Sequence, residues 1–254
     1  MSGVRIEKEG RLAVLRLDKA RGNAIDEPLA VALAEAAAEL AQDDSVYGVL
    51  LASAHPKLFC PGLDLVALAE YDRAAMERFM TAFGVTVWAL YGLAKPVVAA
   101  VSGAAVAGGC ILALCADYRV LRRGAPIGLN EVKLGVPLPW SVTRLLRASV
   151  PPQAFARIAL LGRNFADEEA LGAGLADELA ESEGFEAACR ARLQEFMDKD
   201  PRALATTKAW LREGVLAEMM AHERERLPAF LDGWFAPSTQ ERIRATVASL
   251  RARS

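Results

Sequence analysis

Between Val97 and Ala116 the chain runs for twenty residues without a charge, and this stretch constrains the fold more than any other feature. It is long enough to cross a bilayer as a helix. Its internal punctuation argues otherwise. Val97-Val98-Ala99-Ala100-Val101 meets Ser102-Gly103, Gly108-Gly109 follows, and Ile111-Leu112-Ala113-Leu114 then takes up a helical pattern. A buried strand, a turn and a buried helix account for these residues better than a membrane span does.

The flanking chain repeats the same order. Residues 4–8 and 12–17 read as a hairpin around Glu9-Gly10, and 26–40 as an alanine-rich helix with Pro28 in its first turn, where proline is tolerated. A short apolar strand is expected at 47–52, a long helical region at 67–93 ending before Lys95-Pro96, and a further strand at 118–121. Strand–turn–helix units in succession imply an α/β fold with buried, mostly parallel strands. From Pro151 the pattern becomes mainly helical, at 151–161, 167–171 and 183–197, with a short strand at 176–179. The tail reads as three amphipathic helices, 201–214, 217–235 and 239–252, with Pro201 and Pro237 where helices could begin. There is no internal repeat and no Pro/Gly/Ser linker, so the tail is expected to pack as a helical appendage.

The 254 residues suffice for one sizeable core, and their charges nearly balance at a net −2 with no basic stripe. That argues against a nucleic-acid surface. Cys60, Cys110, Cys115 and Cys189 follow no disulfide or metal spacing and read as reduced core thiols. The opening MSGVRIEKEG has no apolar segment and the closing RARS is not the peroxisomal tripeptide, so a cytoplasmic protein is expected. His55 and His222 have no Ser or Cys motif beside them, and no metal-ligand spacing is present.

Two segments carry the chemistry. Phe59-Cys60-Pro61-Gly62-Leu63-Asp64-Leu65 and Ala107-Gly108-Gly109-Cys110 each place small residues at a turn where a main-chain N–H can be left unpaired. Two such donors converging would stabilise charge developing on a carbonyl oxygen. Tight backbone packing is the other use of such glycines.

In order and spacing, these segments resemble the crotonase superfamily, the enoyl-CoA hydratase/isomerase group, over essentially the whole chain. The similarity includes Asn23-Ala24-Ile25, the Phe59–Leu65 turn, Ala107-Gly108-Gly109-Cys110, Cys115-Ala116-Asp117-Tyr118-Arg119, Ile127-Gly128-Leu129-Asn130-Glu131 and Leu134-Gly135. The resemblance implies a spiral core of ββα turns over residues 1–195 and a C-terminal helical trimerisation region over 196–254. It also implies acyl-CoA as substrate, no further cofactor, no metal, and a homotrimer or dimer of trimers. Carried over by motif position, the N–H groups of Leu63 and Gly108 would be the oxyanion donors. The backbone of Asn23, Ala24 and Ile25 would help hold CoA, and Pro61, Gly62, Asp64 and Gly109 would surround the donors. Pro61 departs from the family's usual alanine, but the donor lies two residues later. Asp64 also suits a helix cap. Trp140, Trp88 and Phe83 could line an acyl pocket, although core is the commoner fate of such residues. Arg21 and the basic helix from Arg242 to Arg253 are candidates for the CoA phosphates.

The acids separate the possible reactions. Family hydratases use two glutamates; by motif position one falls on Ile111 and the other on Glu131. Isoleucine transfers no proton. A single carboxylate beside two N–H donors suits removal of a proton from carbon 2 and its return at carbon 4, the Δ3,Δ2-enoyl-CoA isomerase reaction. The Ile127–Glu131 segment and Leu63 resemble the isomerases of the family in particular. A hydratase or other crotonase reaction, using Asp64 or Glu70, and a non-catalytic acyl-CoA-binding homologue stay open. So does a solvated Glu131, although its apolar neighbours predict a partly buried one.

Overall fold

The computed structural model describes residues 3–252, apart from the side chain of Arg21. Strands β1 (Val4–Glu9) and β2 (Leu12–Leu17) form the expected hairpin, closed by Gly10 at φ +60°. A short turn, α1 (Ala20–Asn23), leads into α2 (Glu27–Gln42). The Asp26 side chain caps α2 by accepting from Leu29 N at 3.1 Å, and Pro28 lies in the first turn. Leu29, Leu33, Ala37 and Leu40 then form one buried stripe, the period expected of a helix lying on a core.

Three ββα units follow. The first is β3 (Gly48–Ser53), β4 (Leu58–Cys60) and a helical stretch split into α3 (Leu65–Leu68) and α4 (Arg73–Tyr91). The second is β5 (Val97–Val101), β6 (Ala104–Val106) and α5 (Gly108–Leu114). The third is β7 (Tyr118–Arg122), β8 (Ile127–Gly128) and the helices α6 (Glu131–Leu134) and α7 (Trp140–Ser149). One strand of each unit joins a six-stranded sheet, β1-β2-β3-β5-β7-β9, parallel throughout except for the first hairpin. The other joins a three-stranded parallel sheet, β4-β6-β8. The uncharged run is thus β5, β6 and α5, buried between neighbours. Among the described residues no helix is long and apolar enough to cross a membrane.

Beyond α7 come a 3₁₀ turn (Pro152–Ala154), a π-helical turn (Ala156–Leu160), α8 (Asp167–Gly172), β9 (Glu178–Ala180) and α9 (Phe185–Met197). The tail holds two helices, α10 (Pro201–Trp234) and α11 (Pro237–Arg251), where three were expected. α10 runs unbroken through Gly214 and Pro228. A Cβ at Gly214 would touch nothing within 4 Å, so that glycine marks an exposed turn of helix. The single region expected at 67–93 divides because Asp72 caps a new helix, accepting from Ala75 N at 2.7 Å.

Candidate active site

The small sheet assembles the site. β4, β6 and β8 are parallel neighbours, so their C-terminal ends emerge side by side. β4 runs into Pro61-Gly62-Leu63, β6 into Ala107-Gly108, and β8 into Leu129-Asn130-Glu131. Segments some seventy residues apart in sequence therefore meet at one sheet edge.

The first two segments touch backbone to backbone. Gly62 has φ +101°, and a Cβ there would lie 3.0 Å from Val106 O and 3.2 Å from Gly108 N. A Cβ on Gly108 would in turn approach Gly62 Cα to 3.3 Å. Ile25 bridges in parallel to Leu63: its N–H donates to Gly62 O at 2.8 Å, and its carbonyl accepts from Asp64 N at 2.8 Å. In such a bridge the N–H of the intervening residue faces the opposite side. The Leu63 N–H accordingly finds no acceptor among the described residues, and neither does that of Gly108.

The second turn is strained. Ala107 holds φ +48° and ψ −121°, a region L-residues rarely occupy, while its N–H donates to Gly128 O at 2.8 Å. That bond ties the turn to β8, the strand that delivers Glu131. Gly109 packs the turn from behind, for a Cβ there would fall 1.9 Å from Cys60 O.

Glu131 opens α6, which Gly135 ends at φ +83°. The residue is 8% exposed, and its Oε2 is buried with no hydrogen-bond partner among the described residues. Burial pushes its carboxyl up to about 7, offset only slightly by its own N–H. A buried acid without a counter-ion brings no stability of its own, and such a group in a cleft is a candidate for a functional site.

One cavity of about 910 Å³ collects these groups, lined by Leu63, Ala107 and Glu131 together with Ala24, Pro61 and Asp64. Its remaining walls are largely apolar, from Leu65 and Val66 of α3, Leu134 of α6, Trp234 of α10 and Leu250 of α11. Asp64 accepts from Ala67 N at 3.2 Å as the α3 cap and faces Lys19 Nζ at 3.6 Å.

Other expected residues have different places. Asn23 is a structural clip: its amide nitrogen donates to Ser53 Oγ at 2.8 Å and Phe59 O at 3.0 Å, and its amide oxygen accepts from Lys19 N at 2.8 Å. The Ile25 backbone is consumed by the bridge and its side chain is buried, so Ala24 alone of that trio reaches the cavity. Trp140 lies elsewhere, between Arg144 and Arg226 with its indole N–H donating to Glu218 O at 3.2 Å. Contacts with α10, invisible in local sequence, draw it there. Trp88 donates to Ser141 Oγ at 3.0 Å, and Phe83 stacks on Phe79 in the core. Ile111 is buried in α5. Of the basic candidates, Arg251 lines the cavity, whereas the Arg21 side chain and Arg253 lie outside the described residues.

Sequence reasoning missed Trp234, Leu250 and Lys19. Lys19 Nζ joins the site's edges by pairing with Asp26 at 2.8 Å and donating to Ala24 O at 2.6 Å. No spacing signal marks residues whose role comes from α10 and α11 folding back onto α3 and α6.

Parallel ββα units closing on a shared cavity define a crotonase fold. The sequence profile of the enoyl-CoA hydratase/isomerase family matches residues 7–230, and the chain belongs to that family. It is 34% identical to a probable enoyl-CoA hydratase, EchA17, of Mycobacterium tuberculosis over 228 residues, 86% of this chain and 85% of that one. It is 29% identical to the mitochondrial enoyl-CoA delta isomerase 1 of Rattus norvegicus over 234 residues, 87% of this chain and 78% of the relative. The crystal structure of human mitochondrial delta3-delta2-enoyl-CoA isomerase superposes with a TM-score of 0.94, covering 99% of both chains at 26% identity.

Proposed function

We propose that the protein is a Δ3,Δ2-enoyl-CoA isomerase. The observation that carries this reading is the buried carboxylate of Glu131, whose Oε2 has no partner among the described residues and which shares one cavity with the Leu63 and Ala107 turns. In its ionised form Glu131 takes the proton from carbon 2 of a 3-enoyl thioester. The C2 electrons move toward the carbonyl, and the N–H groups of Leu63 and Gly108 hold the resulting enolate oxygen. Electrons then return through the C2–C3 bond as the same carboxyl delivers its proton to carbon 4. The net change is one double bond moved, with no water and no cofactor consumed. A carboxyl near neutrality suits both halves of that exchange.

Water addition requires a second acid–base group. Ile111 supplies none, and Asp64, the cavity's other carboxylate among the described residues, is engaged in its cap and with Lys19. The named mycobacterial relative keeps hydration as the competing outcome. A trimer, built through the C-terminal helices, is part of the same proposal; Trp210 and Leu211 on α10 stand 71% and 76% exposed, as residues awaiting a neighbour would.

Purified protein is expected to convert 3-hexenoyl-CoA to the conjugated thioester, and Glu131→Gln to lose about 10²–10⁴-fold in kcat. A fully active Gln variant, or faster hydration of crotonyl-CoA than isomerisation, overturns the assignment. Acyl-CoA binding without turnover of either substrate points instead to a non-catalytic homologue.

A further inference from the structure

The cavity has a direction. Its rim carries Leu250, 43% exposed, with the exposed side chains of Lys133 and Arg251 beside it. Inward the lining closes: Glu131 is 8% exposed, Val136 4% and Trp234 1%. The charged groups of CoA belong at the wet rim, so a thioester held between rim and floor points its acyl chain toward the dry end. Trp234 stands there as the last residue of α10. Its indole stacks on Phe230, with ring centroids 6.3 Å apart and planes at 23°. The Gln240 amide fixes the turn below by donating to Trp234 O at 2.7 Å. A large ring held in this way cannot swing aside as a flexible side chain would.

We infer that Trp234 is the stop that sets the longest acyl chain the site accepts. This rests on the acyl-CoA reading above. Chains short of the indole gain affinity with each buried methylene, by about fourfold each, and longer ones meet a wall. Replacing the ring with a small side chain extends the cavity inward without touching Glu131 or the two N–H donors.

The test compares kcat/KM for 3-enoyl-CoAs of six to sixteen carbons in the parent protein and in Trp234→Ala. The ratio of activity on the sixteen-carbon substrate to that on the six-carbon one is expected to rise about tenfold or more in the variant, the equivalent of about two further methylenes. A merely structural role would lower all lengths together. An unchanged ratio in a variant that still melts cooperatively overturns the inference. Should Trp234→Ala fail to fold, Trp234→Leu and Trp234→Phe must give graded shifts in the same direction, and their absence overturns it equally. Calorimetric Kd values for saturated acyl-CoAs of the same lengths separate this inference from the isomerase assignment. A length-dependent shift without any turnover supports the stop while removing the isomerase reading. Binding indifferent to length or to residue 234 refutes the stop itself.

Discussion

Two acids largely withdrawn from water, the buried Glu131 at the cavity and the half-buried Asp117 at the seam between α10 and the core, have been treated in opposite ways. Asp117, where α5 passes into β7, is surrounded by donors. Val97 N reaches it at 2.7 Å, Arg212 Nη2 at 2.7 Å, and Lys208 Nζ closes on its other side while also donating to Lys95 O at 2.8 Å. Arg212 spreads further bonds over the carbonyls of Cys115 and Ala116 at 3.2 and 3.3 Å. Among the described residues, Glu131 has only its own N–H. Taking a charge from water costs several kcal/mol unless partners replace the lost hydration. At the seam that cost is offset and the result is architecture. At the cavity it is left standing, and the folded chain holds a carboxyl ready to give or take a proton. Burial alone does not distinguish a structural acid from a reactive one; the completeness of its partners does.

The largest expected effect lies at the seam. Asp117→Ala strands the buried Lys208 and the half-buried Arg212 without their counter-ion and should cost about 3–5 kcal/mol in urea unfolding. Turnover per folded molecule, measured well below the midpoint, should stay within a few-fold, because nothing at the seam lines the cavity. A loss of less than about 1 kcal/mol would show that the seam acid is as unsupported as the cavity acid, and the contrast would collapse.

Next in size is the cost borne by Glu131. Below about 4.5 its carboxyl is protonated in the folded and unfolded chain alike; between there and about 7, unfolding releases a proton that the fold retains. The parent therefore loses stability as pH rises through this window, by about 3 kcal/mol at about 1.4 kcal/mol per pH unit. Glu131→Gln cannot ionise, so its stability advantage should be near zero at pH 4.5 and reach that value above pH 7. Melting both proteins across this range checks it. A constant gap would mean that the carboxylate has partners in solution.

Much of this contrast was legible in the sequence, though unevenly. The glycines at 62, 108 and 109 and the apolar frame of Glu131 announced both turns and a buried acid, because close backbone approach and local burial leave marks in neighbouring residues. The ββα order was equally open to reading, since strand and helix periods differ. What stayed hidden depends on segments distant in sequence. Gly214 looked like a break because glycine is a poor helix former, yet α10 continues through that exposed turn to Trp234. Trp140 and Trp234 are both apolar and aromatic, and only the return of α10 decides which one faces the cavity. The Asn23 side chain is the clip between the first crossover and β4, a role that its place in the first-crossover motif did not announce; its φ of +70° is one that asparagine tolerates.

The smallest expected effect sharpens the comparison within the seam itself. Glu223 of α10 is also a buried acid, but it faces N–H and O–H groups rather than cations. Its carboxylate accepts from Ser141 N at 2.8 Å and from Ser141 Oγ, which in turn accepts from Trp88 Nε1. α7 begins after Pro139, whose side chain cannot cap, so Glu223 acts as a cap delivered from another helix. Glu223→Ala should cost about 1–2 kcal/mol, the worth of a cap. Glu223→Gln keeps an acceptor oxygen and should recover most of that loss. The matching Asp117→Asn should recover little, because an amide cannot balance two cations. If both amides rescue equally, charge has no special role at the seam, and counter-ions are not what separates Asp117 from Glu131.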